Sequence, residues 1–153
     1  MVVNTGTITP GRFRLTGWRR RRGSRIARAG AAAVEFAIVS PIFFMLVIGM
    51  IEVGRAIMVQ QVLINASRAG ARRATMLSST STDVINTVAE YTAGVGVPTV
   101  TTTVSPNPAT AAAGTAITVN TSVSFANVSW LPAPWFMGGK VLSSSAVMRK
   151  EGF

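Results

Sequence analysis

"ARAGAAAVEFAIVSPIFF", residues 27–44, places one carboxylate at the start of a long apolar run, and this run decides the fold. The carboxylate belongs to Glu35. An ionised carboxylate inside a bilayer costs about 2.5–3.5 kcal/mol on insertion scales, so it is normally retained for a function or kept close to the membrane interface. The role of Glu35 therefore depends on the residues on either side of the run.

The sequence before Glu35 is strongly basic. The chain of 153 residues has 15 Lys and Arg against 5 Asp and Glu, a net charge of +10. Eight of the basic residues precede Glu35: Arg12, Arg14, Arg19, Arg20, Arg21, Arg22, Arg25 and Arg28. Such a segment can bind nucleic acid or acidic lipid, but beside an apolar run it favours a topological role, because Lys and Arg remain cytoplasmic. We therefore predict no nucleic-acid partner.

The composition argues against catalysis. The chain has no cysteine and no histidine, which removes disulfides, thiolate chemistry and the commonest metal ligand and general base. No spacing in the sequence pairs two of its five acidic residues as general acid and base. We predict no catalytic residues, no metal, no cofactor and no small-molecule substrate, and we expect that the protein is not an enzyme.

The apolar run predicts one transmembrane helix. Residues 31–51 supply the roughly 20 residues that a spanning helix needs. No small-x-small cleavage site follows the run, which argues against a secretory signal peptide. The basic leader predicts a cytoplasmic N-terminus and a C-terminal part outside the cytoplasm. Pro41 is tolerated in a membrane helix, and Gly49 and Gly54 offer small surfaces for close helix packing.

The helical pattern continues beyond the run. Apolar or small residues recur at three-to-four-residue steps at Val59, Leu63, Ala66, Gly70, Ala74 and Leu77. This spacing predicts one long helix over about residues 31–77. The stripe is typical of ordinary core packing against a C-terminal domain, and it also suits a contact with neighbouring copies. The sequence leaves both interpretations open.

The remaining chain predicts a short helix and a small sheet. Thr82, before Asp83, is the predicted N-cap of a helix that ends at Gly94 and Gly96. β-Branched or alternating patterns predict strands within residues 97–104, 117–125 and 141–148. The fold class is therefore α+β, with about three antiparallel strands. We predict four segments: a leader (1–30), a transmembrane helix (31–57), a helical segment (58–96) and a β domain (97–153).

The junction between leader and span resembles the signal of type IV pilins and pseudopilins. In that signal a basic leader ends in glycine, and glutamate is the fifth residue after it. More narrowly, residues 30–77 look like the TadE-like proteins of tight-adherence (Tad, or Flp) pilus systems. The residues that carry the resemblance are Gly30, Glu35, Phe36, Pro41, Glu52, Gly54 and Arg55. The C-terminal "SSSAVMRKE" adds a weaker similarity.

The resemblance implies a minor pilin or pseudopilin that a prepilin peptidase cuts between Gly30 and Ala31. Its implied partners are other pilin subunits, the peptidase, the inner-membrane assembly platform and the lipid bilayer. The implied location is the bacterial inner membrane, with a periplasmic C-terminal domain that becomes extracellular on assembly, in a system that serves adhesion or secretion. The alternative is an uncleaved single-pass assembly or docking factor, which would keep residues 1–30.

Three groups of residues have open roles. Glu35 can pair with the new ammonium of Ala31, its own or a neighbour's, or can cap the first helical turn. Glu52 and Arg55, three residues apart, predict an exposed interfacial ion pair or two solvated charges. The three aromatic residues Trp130, Trp135 and Phe136 suit docking on lipid or another subunit, or packing under a loop.

Overall fold

The computed structural model describes Val2 and residues 23–152, with side chains from residue 30 onward. Most of the arginine-rich leader, on which the topology prediction rests, lies outside the described residues. The chain divides into two compact units, residues 1–41 and 42–153, and each is considered by itself.

The first helix, α1 (Gly23–Thr75), confirms the prediction of one long N-terminal helix. It begins eight residues before the predicted start at residue 31 and ends two residues before the predicted end at residue 77. Its N-terminal part is apolar and uncovered: an 18-residue window within residues 30–75 has a mean hydropathy of 2.3 and no buried residue. By length and composition it is a candidate membrane span, and it is the one such candidate among the described residues. Pro41 lies inside the helix.

The C-terminal part of α1 buries the predicted stripe. Val59, Leu63, Ala66 and Ala74 are completely buried, whereas Leu77 lies beyond the helix and is exposed. These residues pack in two clusters with side chains of the C-terminal domain. The stripe therefore serves as core packing, the first of the two interpretations.

The second helix, α2 (Ser81–Gly94), begins two residues earlier than predicted. The N-cap is Thr80 and not Thr82: the Thr80 hydroxyl accepts from the Asp83 amide, and the Asp83 carboxylate accepts from the Thr80 amide at 2.9 Å. This reciprocal capping box satisfies two amides that the helix leaves free. Hydrogen bonds from the Thr80 amide and hydroxyl, and the charge of Arg73, lower the pKa of Asp83.

Three strands form one antiparallel sheet: β1 (Thr101–Ser105), β2 (Ala116–Ser124) and β3 (Val141–Arg149), in the order β1-β2-β3. Val119 of the central strand lies opposite Val104 and Ala146. The sheet and the two helices confirm the α+β class. β1 begins four residues after the predicted start, because Pro98 and a positive φ at Thr99 precede it.

The central strand joins the sheet to both helices. Ile117, Val119, Thr121 and Val123 alternate with less buried neighbours and are buried on one face. Ile117 and Val119 share a cluster with residues of α1 and α2, and Val123 shares the other cluster with Leu63. A one-residue shift of register would move this apolar set to the opposite face, so the burial fixes the register.

Gly70 lies where α1, α2 and β2 meet, and we expect Gly70→Val to destabilise the fold. An added Cβ would lie 2.7 Å from Val88 Cγ2 and 3.2 Å from Val119 Cγ1, both in the core. Overpacking of this kind costs about 1–3 kcal/mol of unfolding free energy. Denaturant unfolding of the full-length protein in detergent measures the loss. Gly54→Val is the matched control, because a Cβ there meets no atom within 4 Å; equal stability of the two variants would contradict the prediction.

Candidate functional site

The residues of the pilin-like motif lie on α1. Gly30, Ala31 and Glu35 are exposed on the helix, and Phe36 has 69% of its surface exposed. A Cβ at Gly30 would meet no atom within 4 Å. In the structure, Glu35 is therefore free to meet a partner group from outside the fold.

On both sides of Glu35 the helix has large apolar side chains that are exposed. The exposed set includes Val34, Ile38, Val39, Ile42, Phe43, Phe44, Met45, Leu46 and Met50. In water, an exposed apolar surface of this extent marks an interaction site. The length and composition of this helix suit the hydrocarbon core of a membrane.

Glu52 holds a loop of the C-terminal domain against α1. Its carboxylate accepts hydrogen bonds from the consecutive amides of Trp135 (2.7 Å), Phe136 (2.9 Å) and Met137 (2.9 Å). Glu52 is 1% exposed. Hydrogen bonds to an ionised acceptor are roughly twice as strong as neutral ones, and three successive amides form a concave site for an anion. The loop is therefore latched to the helix through its backbone.

Arg55, one turn further along α1, holds two other loops. Its Nε donates to the Val128 carbonyl at 2.8 Å, and its Nη2 donates to the Gly96 carbonyl at 3.3 Å. The guanidinium lies 4.8 Å from the ring centre of Trp130, within the range of a cation–π contact. Arg55 is 6% exposed, so these backbone acceptors replace most of its hydration.

These contacts correct the prediction of an exposed ion pair between Glu52 and Arg55. Both residues are buried, and their charged groups do not form a salt bridge. Each charge is instead satisfied by backbone groups more than 40 residues away in sequence. The physical reason is that the C-terminal domain covers this turn of the helix and supplies the hydrogen-bond partners that water would otherwise provide.

The two glycines predicted to favour helix packing differ in their surroundings. At Gly49 an added Cβ would lie 3.5 Å from the ring of Phe136, so the protein's own loop occupies that side. Gly54 is exposed, and a Cβ there meets nothing within 4 Å. Both glycines line a shallow apolar groove with Leu46, Met50, Val53 and Ile57. Packing of a second helix in this groove stays a prediction.

The sequence did not predict the hydrogen bonds from three loop amides to Glu52. Two features of the sequence pointed to this region: a charged residue close after the apolar run, and the unusual density of Trp, Phe and Pro in residues 130–137. Neither feature identifies a backbone partner. Among the described residues, no group of three or more acidic side chains could hold a metal ion.

Residues 30–72 match the family model of the TadE-like proteins. The match confirms the predicted resemblance and includes the motif residues from Gly30 to Arg55. It covers under a third of the chain, and the sheet lies outside it. Neither the search of curated proteins nor the search of solved structures found a match.

Proposed function

We propose that this chain is a minor pilin or pseudopilin of a tight-adherence pilus, anchored by one transmembrane helix. The observation that carries the proposal is the coincidence of three features in one segment: Glu35 at the fifth position after Gly30, an uncovered apolar helix after it, and the TadE-like match from residue 30. The match to the TadE-like family model supports a pilus-associated role. The cleavage and the role as a subunit are our additions.

The proposed segments are a cytoplasmic leader (1–30), a membrane helix (31–57), a periplasmic helical segment (58–96) and a β domain (97–153). Cleavage between Gly30 and Ala31 would leave an ammonium group one helical turn before Glu35. Opposite charges at this separation attract each other strongly where lipid or protein excludes water. The carboxylate would thereby recruit the new N-terminus of its own chain or of a neighbouring subunit.

The chemistry of the leader supports cleavage at this site. Glycine before the scissile bond lets a backbone enter a peptidase site without side-chain conflict. The arginines would hold that bond at the cytoplasmic interface, where a prepilin peptidase of the inner membrane acts on it. After assembly the C-terminal domain would be extracellular. Other pilin subunits and the inner-membrane assembly platform are the proposed partners.

We expect Gly30→Leu to keep the full-length chain in the membrane, whereas the wild-type chain begins at Ala31. Intact mass and N-terminal sequencing of protein from the native host measure the outcome. The matched control is Gly23→Leu, which changes a leader glycine seven residues earlier and should still yield the wild-type mature mass. A wild-type chain that retains residues 1–30 would favour the uncleaved assembly factor. Shortening of the Gly30→Leu protein at the same bond would refute the assignment of the site.

A further inference from the structure

The loop between the 3₁₀ helix (Phe125–Asn127) and β3 exposes three aromatic side chains. We call residues 129–140 the aromatic loop. Trp130 and Trp135 are each 67% exposed, and Phe136 is 51% exposed. The loop has one basic residue, Lys140, and no acidic residue. Three large aromatic side chains that are exposed within a few residues of each other indicate an interaction site that another surface covers.

The aromatic loop lies beside the end of the apolar part of α1. The amides of residues 135–137 bind Glu52, the ring of Phe136 lies over Gly49, and the ring of Trp130 lies over Arg55. Glu52 is the first charged residue after Glu35, so the apolar run ends where the loop is attached. The latch fixes the position of the aromatic groups along the helix axis.

This position is the one that tryptophan prefers at a membrane. From residue 49 to residue 55 the helix rises about 9 Å, at about 1.5 Å per residue. That length is comparable to one headgroup layer, which is about 5–8 Å thick. Trp side chains concentrate in this layer because the ring is apolar and the indole N–H is polar. The exposed side chains of Met50 and Val53 on the same stretch of helix extend the apolar surface.

We propose that the aromatic loop is a membrane-interface anchor, with Trp130 and Trp135 inserted in the lipid headgroup layer at the C-terminal end of the span. The inference rests on the proposed membrane helix and adds a second point of attachment to the bilayer. Lys140 supplies a cation to lipid phosphates, and no acidic residue of the loop opposes them. Glu52 and Arg55 then have a function: they hold the loop at the depth where the span ends.

Tryptophan fluorescence of the full-length protein in phosphatidylethanolamine and phosphatidylglycerol vesicles tests the proposal. The chain has three tryptophans, so Trp18→Phe with Trp130→Phe isolates Trp135, and Trp18→Phe with Trp135→Phe isolates Trp130. We expect both indoles to emit at shorter wavelength than in water. Lipids brominated near the headgroup should quench them more than lipids brominated near the bilayer centre.

A third probe separates the loop from the span. Phe43→Trp, in a chain with the three native tryptophans changed to Phe, reports on the middle of the proposed helix, and lipids brominated near the bilayer centre should quench it most. If brominated lipids quench the position-43 indole but only aqueous iodide quenches the loop indoles, the membrane-interface anchor is wrong. The proposed transmembrane helix would then still be supported. Short-wavelength loop emission without lipid quenching would mean that protein covers the loop, which also overturns the anchor. If the position-43 indole is not quenched by lipid, the span fails, and the anchor fails with it.

Discussion

Glu52→Ala is expected to release the aromatic loop from α1 while the sheet remains folded. The variant removes the acceptor of three backbone hydrogen bonds at once. Amide hydrogen exchange at residues 135–137 should accelerate by more than about tenfold, because a single hydrogen bond to an ionised group is worth about that factor. Glu52→Gln, which retains the volume and one oxygen acceptor, should give a smaller increase.

Hydrogen exchange of the full-length protein in detergent, followed by mass spectrometry, measures this release. The matched control is Glu90→Gln, which removes an exposed carboxylate from α2 and should leave the loop protected. The amides of β2 provide the internal reference, because the Glu52 hydrogen bonds go to the loop and not to the strand. Unchanged exchange at residues 135–137 in Glu52→Ala would show that the carboxylate does not hold the loop. Equal acceleration in β2 would show that the whole domain had unfolded.

The elements of this fold could be predicted because each carries a local period. The three-to-four-residue stripe of α1 and the strict alternation of Ile117, Val119 and Val123 are visible without any knowledge of the partner surface. The structure buries both patterns, and they meet in the core. Here the sequence pattern and the packing have the same cause, because one face of each element must leave water.

The boundaries were less predictable, since neighbouring residues compete for the same role. Thr80 and Thr82 both precede or begin the helical pattern, and either could cap it. The cap is Thr80 because its side chain and Asp83 are three residues apart, the separation that lets each side chain reach the other's amide. The sequence contains this three-residue separation of Thr80 and Asp83. The adjacent pair Thr82-Asp83 suggested a different cap, so the pattern alone did not identify Thr80.

The contacts of Glu52 and Arg55 could not be predicted from local pattern. Their backbone partners are 41 to 85 residues away in sequence, and any residue can supply an amide or carbonyl. A spacing of three residues suggested that the two charges pair with each other, which is the strongest local option. In the folded protein each charge forms hydrogen bonds with backbone groups of distant loops, so the ion pair between Glu52 and Arg55 does not form.

Glu35→Ala is expected to uncouple processing from assembly, which is the largest effect we foresee. The proposed cut lies on the leader side of the motif, so the variant should still lose residues 1–30. Removal of the carboxylate also removes its desolvation cost, so insertion in the membrane should be as good as in the wild type, or better. Glu35→Gln keeps hydrogen bonding without charge and should be intermediate.

The loss should appear only when helices pack together. In the assembled state the ammonium of Ala31 would enter a site without its counter-charge, and an unpaired buried charge costs about 3–5 kcal/mol. Incorporation of Glu35→Ala should therefore fall by roughly a hundredfold or more, since about 1.4 kcal/mol corresponds to a factor of ten.

The measurement is the amount of each variant, first shown by mass to be cleaved, that co-purifies with the filament or its membrane complex. Ser40→Ala, which removes a polar group from the same helix but no charge, should assemble like the wild type. If the correctly cleaved Glu35→Ala chain is incorporated as efficiently as the wild type, Glu35 only caps the first helical turn. The proposed subunit role would then lose its main physical support.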